Sequence, residues 1–235
     1  ALLLKPYADV DSIYHGLMLP TQVHLDEVAG WCKTHGFQMA THCIGDSANR
    51  LMLATYGRVL GGTNDLRWRI EHAQCVAPED LPLFAKYTVI PSMQPTHATS
   101  DMLWAIDRIG GERLRTAYAL KSLLKQNGLI ALGTDFPVEG IDPLGTYYAA
   151  VARKNSEGVP AEGFQLADAL SRDEALRGMT IWNALASFTE NDLGTLEAGK
   201  RADFVVIDRD ILKVEAEQLR KARVKATFLD GEQVH

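Results

Sequence analysis

Residues 39–50 read MATHCIGDSANR. An apolar segment ends at His42 and gives way at once to turn-forming and polar residues. That is how a strand delivers one side chain at its tip before the chain turns into a helix. A lone histidine in this position is more often a hydrogen-bonded structural residue than a ligand. What matters is whether the rest of the chain repeats the pattern.

It does. Upstream, residues 1–20 read as loop, and Thr21 is placed to cap a helix whose Val23, Val28, Trp31 and Cys32 fall on one face. Gly36 ends that helix, and Phe37–Thr41 then reads as the strand that reaches His42. Downstream, Ser47–Leu60 reads as a helix stopped by Gly61 and Gly62. Trp68–Glu71 reads as a strand delivering His72. Pro78 opens a further helix, and Thr88–Met93 delivers Gln94. Residues 97–128 read as mostly helical with a break at Gly110–Gly111. Leu129–Leu132 is the next strand and runs into GTDFPVEG. Helical patterns follow at 143–153, 165–178 and 180–189. From Gly194 the character turns to β: Phe204–Ile207 is a strand, and KATFLDGEQV reads as strand, Asp-Gly turn, strand. The alternation predicts an α/β fold with a parallel sheet, organised as residues 1–193 and a small β segment over 194–235.

Bulk properties narrow the function classes. Of 235 residues, 46% are hydrophobic and 23% charged, with a net charge of −6. No basic arm suits a nucleic acid, and no apolar run has the roughly 18 residues needed to span a bilayer. The three cysteines, Cys32, Cys43 and Cys75, are scattered, which suggests a reducing, cytoplasmic setting. The expected partner is a small-molecule substrate.

In parallel α/β folds, chemistry collects at the carboxyl ends of strands. The residues there are His42, His72, Gln94 with His97, and Asp135. His42 and His72 are 30 residues apart, one strand–helix unit of a (β/α)8 barrel at about 30 residues per unit. Asp135 comes 63 residues later, two strands on. On the strand pleat, Ala40 pairs with His42, Ile70 with His72, and Gly133 with Asp135. Two imidazoles and a carboxylate suit a divalent metal, zinc above all. The metal ligands expected are His42, His72 and Asp135. A metal-activated water would attack an amide-type carbon, with Asp135 as base and then acid. Gln94 and His97 are the expected substrate contacts, with Trp104 nearby. Asp46 is a candidate N-cap.

The segments HCIGDSANRLML, RWRIEHAQ, IPSMQPTHATSDMLWA, ALGTDFPVE and GTLEAGKRADFVVID together resemble the amidohydrolase superfamily, in the branch typified by N-substituted formamide deformylase. The resemblance implies a TIM-type barrel in which His42 ends strand five, His72 strand six and Asp135 strand eight. It also implies a return into a β-sandwich near Gly194. Only 41 residues precede His42, and the family's His-x-His of strand one has no match; Lys5 does not fit the strand-four lysine. The chain is therefore expected to be the C-terminal half of the barrel, strands five to eight, plus part of the sandwich. Such a half exposes sheet edges and apolar surface, so it should self-associate or belong with an N-terminal half. The expected activity is hydrolysis of C–N bonds other than peptide bonds, inactive or weak in this portion alone. The competing readings are a non-catalytic, self-associating barrel remnant and a phosphotriesterase-like hydrolase.

Overall fold

In a computed structural model, which describes residues 1–10 and 13–235, Thr21 caps the first helix as its position predicts. Its hydroxyl accepts from the His24 amide at 3.2 Å, and Gly36 closes the helix at φ 72°. Positions 11 and 12 of the expected N-terminal loop lie outside the described residues.

The chain divides into two units. The first comprises Ala1–Met93 and Asp101–Ile130; the second comprises Gln94–Ser100 and Ala131–His235. In the first, the elements run α1 (Gln22–His35), β1 (Ala40–Cys43), α2 (Asp46–Leu60), β2 (Arg69–His72), a 3-10 turn at Pro78–Asp80, α3 (Leu81–Lys86) and β3 (Ile90–Met93). Strands β1, β2 and β3 pair side by side, all parallel. The second unit carries α4 (Pro95–Asp101), whose last residue clusters with the first. Two further helices complete the first unit: α5 (Ala105–Leu114), broken by Gly110 at φ 75°, and α6 (Leu120–Asn127).

The core of the first unit lies between its strands and helices. Thr41 faces α2, where Tyr56 Oη meets Thr41 Oγ1 at 2.9 Å and donates to the Arg69 carbonyl at 3.0 Å. Tyr56 also meets Trp68 edge to face, with ring centroids 5.0 Å apart. Trp68, Tyr56, Leu53, Ile70 and Phe84 are fully buried, each contributing about 1.5–3 kcal/mol through lost contact with water.

Three expectations need correction here. Val23 and Trp31 are exposed, and α1 buries Ala29 and Cys32 instead. Trp31 stacks on His35 and Phe37 on the outside of the helix. The first strand starts at Ala40, three residues later than expected, because Phe37 still belongs to the helix exit: its amide bonds to the Cys32 carbonyl at 2.9 Å. Finally, Gly45 rather than Asp46 is the N-cap of α2. Asp46 Oδ1 accepts from the amides of Leu4 and Ser47.

The second unit continues with β4 (Ala131–Leu132), α7 (Pro143–Ala152), a 3-10 turn at Leu166–Asp168, α8 (Arg172–Met179), α9 (Ile181–Ala186), β5 (Phe204–Ile207), α10 (Ala216–Leu219), β6 (Val224–Leu229) and β7 (Glu232–Gln233). Strand β4 starts two residues later than expected, and Asn183 Nδ2 donates to the Leu132 carbonyl at its end, 2.9 Å away. Helix α7 begins on Asp142, whose carboxylate accepts from Leu144 N, with Pro143 in the first turn. Helix α8 begins on a reciprocal box between Ser171 and Glu174. Strands β5, β6 and β7 form a separate antiparallel sheet. Its Asp230–Gly231 turn has both φ angles positive, 52° and 83°, as a tight two-residue hairpin requires. No helix among the described residues is long and apolar enough to cross a membrane.

Candidate metal centre

In the first unit, β1 presents His42 and β2 ends in His72. The register sets His42 beside Glu71 and Cys43 beside His72. By the pleat alone, His42 should share its face with Ala40, Arg69 and Glu71, and His72 should share the opposite face with Cys43 and Ile70. Arg69 Nε does bond Glu71 Oε1 at 2.9 Å. His72 breaks the alternation. Its φ is +72°, and that of Ala73 is +42°. Rotation about N–Cα carries the imidazole across to its neighbour, and the rings of His42 and His72 meet edge to face, centroids 4.4 Å apart. His42 is exposed, whereas His72 is 8% exposed.

A left-handed backbone at a non-glycine residue costs about 1–3 kcal/mol and persists only where neighbours fix it. Here they do. The Tyr118 amide donates to the Gln74 carbonyl at 2.6 Å. Gln74 Nε2 donates to Tyr118 Oη and Asp101 Oδ2, and Tyr118 Oη donates to the same Asp101 oxygen at 2.8 Å. Burial, then the Asp101 carboxylate, pushes the Tyr118 phenol well above its ordinary pKa. Next to it, Asn49 Nδ2 donates to the carbonyls of Cys43, Gly45 and Cys75, tying the ends of both histidine-bearing strands to α2. Gly45 is obligatory in this turn, since a Cβ there would stand 1.9 Å from the Leu2 carbonyl oxygen. Burial pushes the nearby thiols of Cys43 and Cys75 up to about 12.

In the second unit, Asp135 follows β4 at φ +59°. Its carbonyl accepts from Val138 N, and Thr134 Oγ1 accepts from Phe136 N. His97 lies within α4, its amide bonded to the Gln94 carbonyl at 3.1 Å. Its ring, 9% exposed, sits between two carboxylates: Nε2 is 3.2 Å from Asp135 Oδ2, and Nδ1 is 3.1 Å from Glu139 Oε1. Ser100 Oγ donates to the same Glu139 oxygen at 2.6 Å.

Of the residues singled out in the sequence, His42 thus meets His72, and His97 meets Asp135. Gln94 is half-buried directly after β3, and Trp104 is exposed just before α5. Glu139 and Ser100 escaped the sequence reading. The only signals for them are spacings: Ser100 is three residues after His97 on a helix, and Glu139 is four after Asp135. The imidazole and carboxylate donors fit a borderline divalent cation such as zinc.

The model of the Amidohydrolase family matches residues 1–235. Protein LONG AFTER FAR-RED 3 of Arabidopsis thaliana is 34% identical over all of this chain and 40% of its own length. N-substituted formamide deformylase of Arthrobacter pascens is 29% identical over 88% of this chain and 42% of its own length. The crystal structure of an uncharacterized metal-dependent hydrolase from Pyrococcus horikoshii OT3 superposes with a TM-score of 0.81 at 32% identity, covering 92% of this chain and 43% of that one. The chain thus spans about two-fifths of the length of the relatives it matches.

Proposed function

The chain belongs to the Amidohydrolase family, and on that premise we propose that it forms the C-terminal strands, five to eight, of a metal-dependent hydrolase barrel together with part of a β-sandwich. The reaction proposed is hydrolysis of a C–N bond other than a peptide bond, in an amide or formamide. The proposed ligands are His42, His72 and Asp135 for a divalent cation, with zinc preferred by the donor types. To these we add His97, whose Nε2 lies 3.2 Å from Asp135 Oδ2.

The observation that carries this reading is the pairing of His42 with His72. Two imidazoles from adjacent parallel strands meet near the strands' carboxyl ends only because His72 adopts a strained backbone. Strain held in place around a potential ligand points to function rather than packing. A bound divalent ion supplies Lewis acidity, polarising a carbonyl and lowering the pKa of water. The chain's own contribution is then proton handling. The Asp135 carboxylate takes the proton of the attacking water and returns it to the departing nitrogen. His97 Nε2 stands 3.2 Å from that carboxylate at Oδ2. Gln94 and His97 are proposed to face the substrate end of the site.

The test is a substrate panel on the longer polypeptide that carries this segment. Release of formate or carboxylate from formamides or acyl amines, lost in Asp135→Asn, supports the proposal. Turnover confined to phosphotriesters, or none at all with metal bound, rejects it.

A further inference from the structure

We infer that Glu139, held by Ser100, is a positioning residue that fixes the tautomer of His97, so that Nδ1 carries the proton and Nε2 presents a lone pair beside Asp135. The inference deepens the proposed function and rests on its premise that a cation is bound here.

Three observations in the second unit lead to it. First, Glu139 Oε1 already accepts the Ser100 hydroxyl at 2.6 Å, which is the shorter and better of that hydroxyl's two contacts; the other, to the His97 carbonyl, is 3.3 Å. An oxygen committed as an acceptor needs a donor from His97 as well, and at 3.1 Å that donor is Nδ1–H. Second, a neutral imidazole has a single N–H. With the proton on Nδ1, Nε2 faces Asp135 Oδ2 at 3.2 Å with no proton to offer. Two lone pairs at that distance repel unless something positive lies between them. Third, two ligand atoms on one tetrahedral cation, bonded at about 2.0–2.2 Å, stand about 3.3–3.6 Å apart. The observed 3.2 Å falls just below that span. A carboxylate that accepts the N–H of the other ring nitrogen is also the usual means of orienting a metal-bound histidine. Ser100 and His97, three residues apart on α4, face the same way, so one helix supplies both the ring and the clamp on its partner.

The experiment uses the full chain. The His97 tautomer is read from ring nitrogen shifts by NMR, above the imidazole titration range, and Zn2+ affinity is measured by competition with a chromophoric chelator. The expected tautomer is Nδ1–H. Glu139→Gln, which can donate as well as accept, should scramble the tautomer and weaken Zn2+ about 10–100-fold. Ser100→Ala should act in the same direction by less than Glu139→Gln, and it serves as the second variant should Glu139→Gln fail to give a native circular dichroism spectrum. Zn2+ binding by the wild type with an Nε2–H or doubly protonated ring, or with unchanged affinity in both variants, overturns the inference and leaves the proposed function standing. A wild-type chain that binds no Zn2+ overturns both.

Discussion

The imidazoles of His42 and His72 touch edge to face, 4.4 Å between centroids, although strand pairing places Glu71 rather than His72 beside His42. The positive φ at His72 resolves the conflict. Asp135 carries the same backbone signature in the second unit, which makes strain a shared property of two of the proposed ligands.

That signature gives a prediction for Asp135. Asn tolerates the left-handed region at least as well as Asp, so Asp135→Asn should melt within about 0.5 kcal/mol of wild type while Zn2+ affinity falls by at least about 100-fold, the upper range for losing a mere supporting residue. Asp135→Val, β-branched and ill suited to φ +59°, should lose about 1–3 kcal/mol of stability as well. Thermal melts alongside Zn2+ titration separate the two effects.

Asn49 offers a stability test that does not touch the proposed ligands. Its amide serves the carbonyls of Cys43, Gly45 and Cys75 from a fully buried position. Asn49→Ala takes a donor from the Cys43 and Cys75 carbonyls, while Gly45 keeps the backbone amide of residue 49, at a cost of about 1–3 kcal/mol for each group left unsatisfied. Denaturant midpoints should fall accordingly. Because the same bonds hold the ends of β1 and β2 together, the His42–His72 ring contact should loosen too, visible as changed ring-proton shifts.

The buried thiols predict how the chain behaves in alkali. Cys43 and Cys75 have an ordinary pKa of 9.0 and are pushed up to about 12 by burial. The unfolded chain therefore releases these protons first. Stability from this source is fully present below about pH 9 and is lost as pH rises towards 12. All three cysteines are buried, so thiol reagents at pH 8 should label native protein slowly and unfolded protein at once. Cys43→Ala should flatten part of the alkaline decline in melting temperature.

Much of this was legible in the residues. The alternation that ends at His42, His72, Gln94 and Asp135 located β1 to β4, and Asp230–Gly231 announced its hairpin. Thr21, Gly36, Gly61 and Gly110 marked helix ends or breaks because each reports a local backbone need. What escaped depends on tertiary context. Pleat arithmetic did not anticipate the His42–His72 ring contact, because no sequence pattern signals a left-handed histidine. Asp46 looked like a cap, but Gly45 took that role. Glu139 and Ser100 were invisible as functional residues, since their meaning arises only when α4 and the loop after β4 come together around His97. The exposed Val23 and Trp31 show that helical periodicity names a face without saying what covers it.

The most direct measurement is the bound-metal content of the purified chain and of His42→Ala, His72→Ala, His97→Ala and Asp135→Ala, by elemental analysis after Zn2+ loading and gel filtration. The expected result is close to one Zn2+ per wild-type chain and little or none in the His72 and Asp135 variants, with His42→Ala and His97→Ala reduced. Equal zinc in wild type and all four variants, each shown to be folded by circular dichroism, would contradict the assignment of these side chains to a common cation.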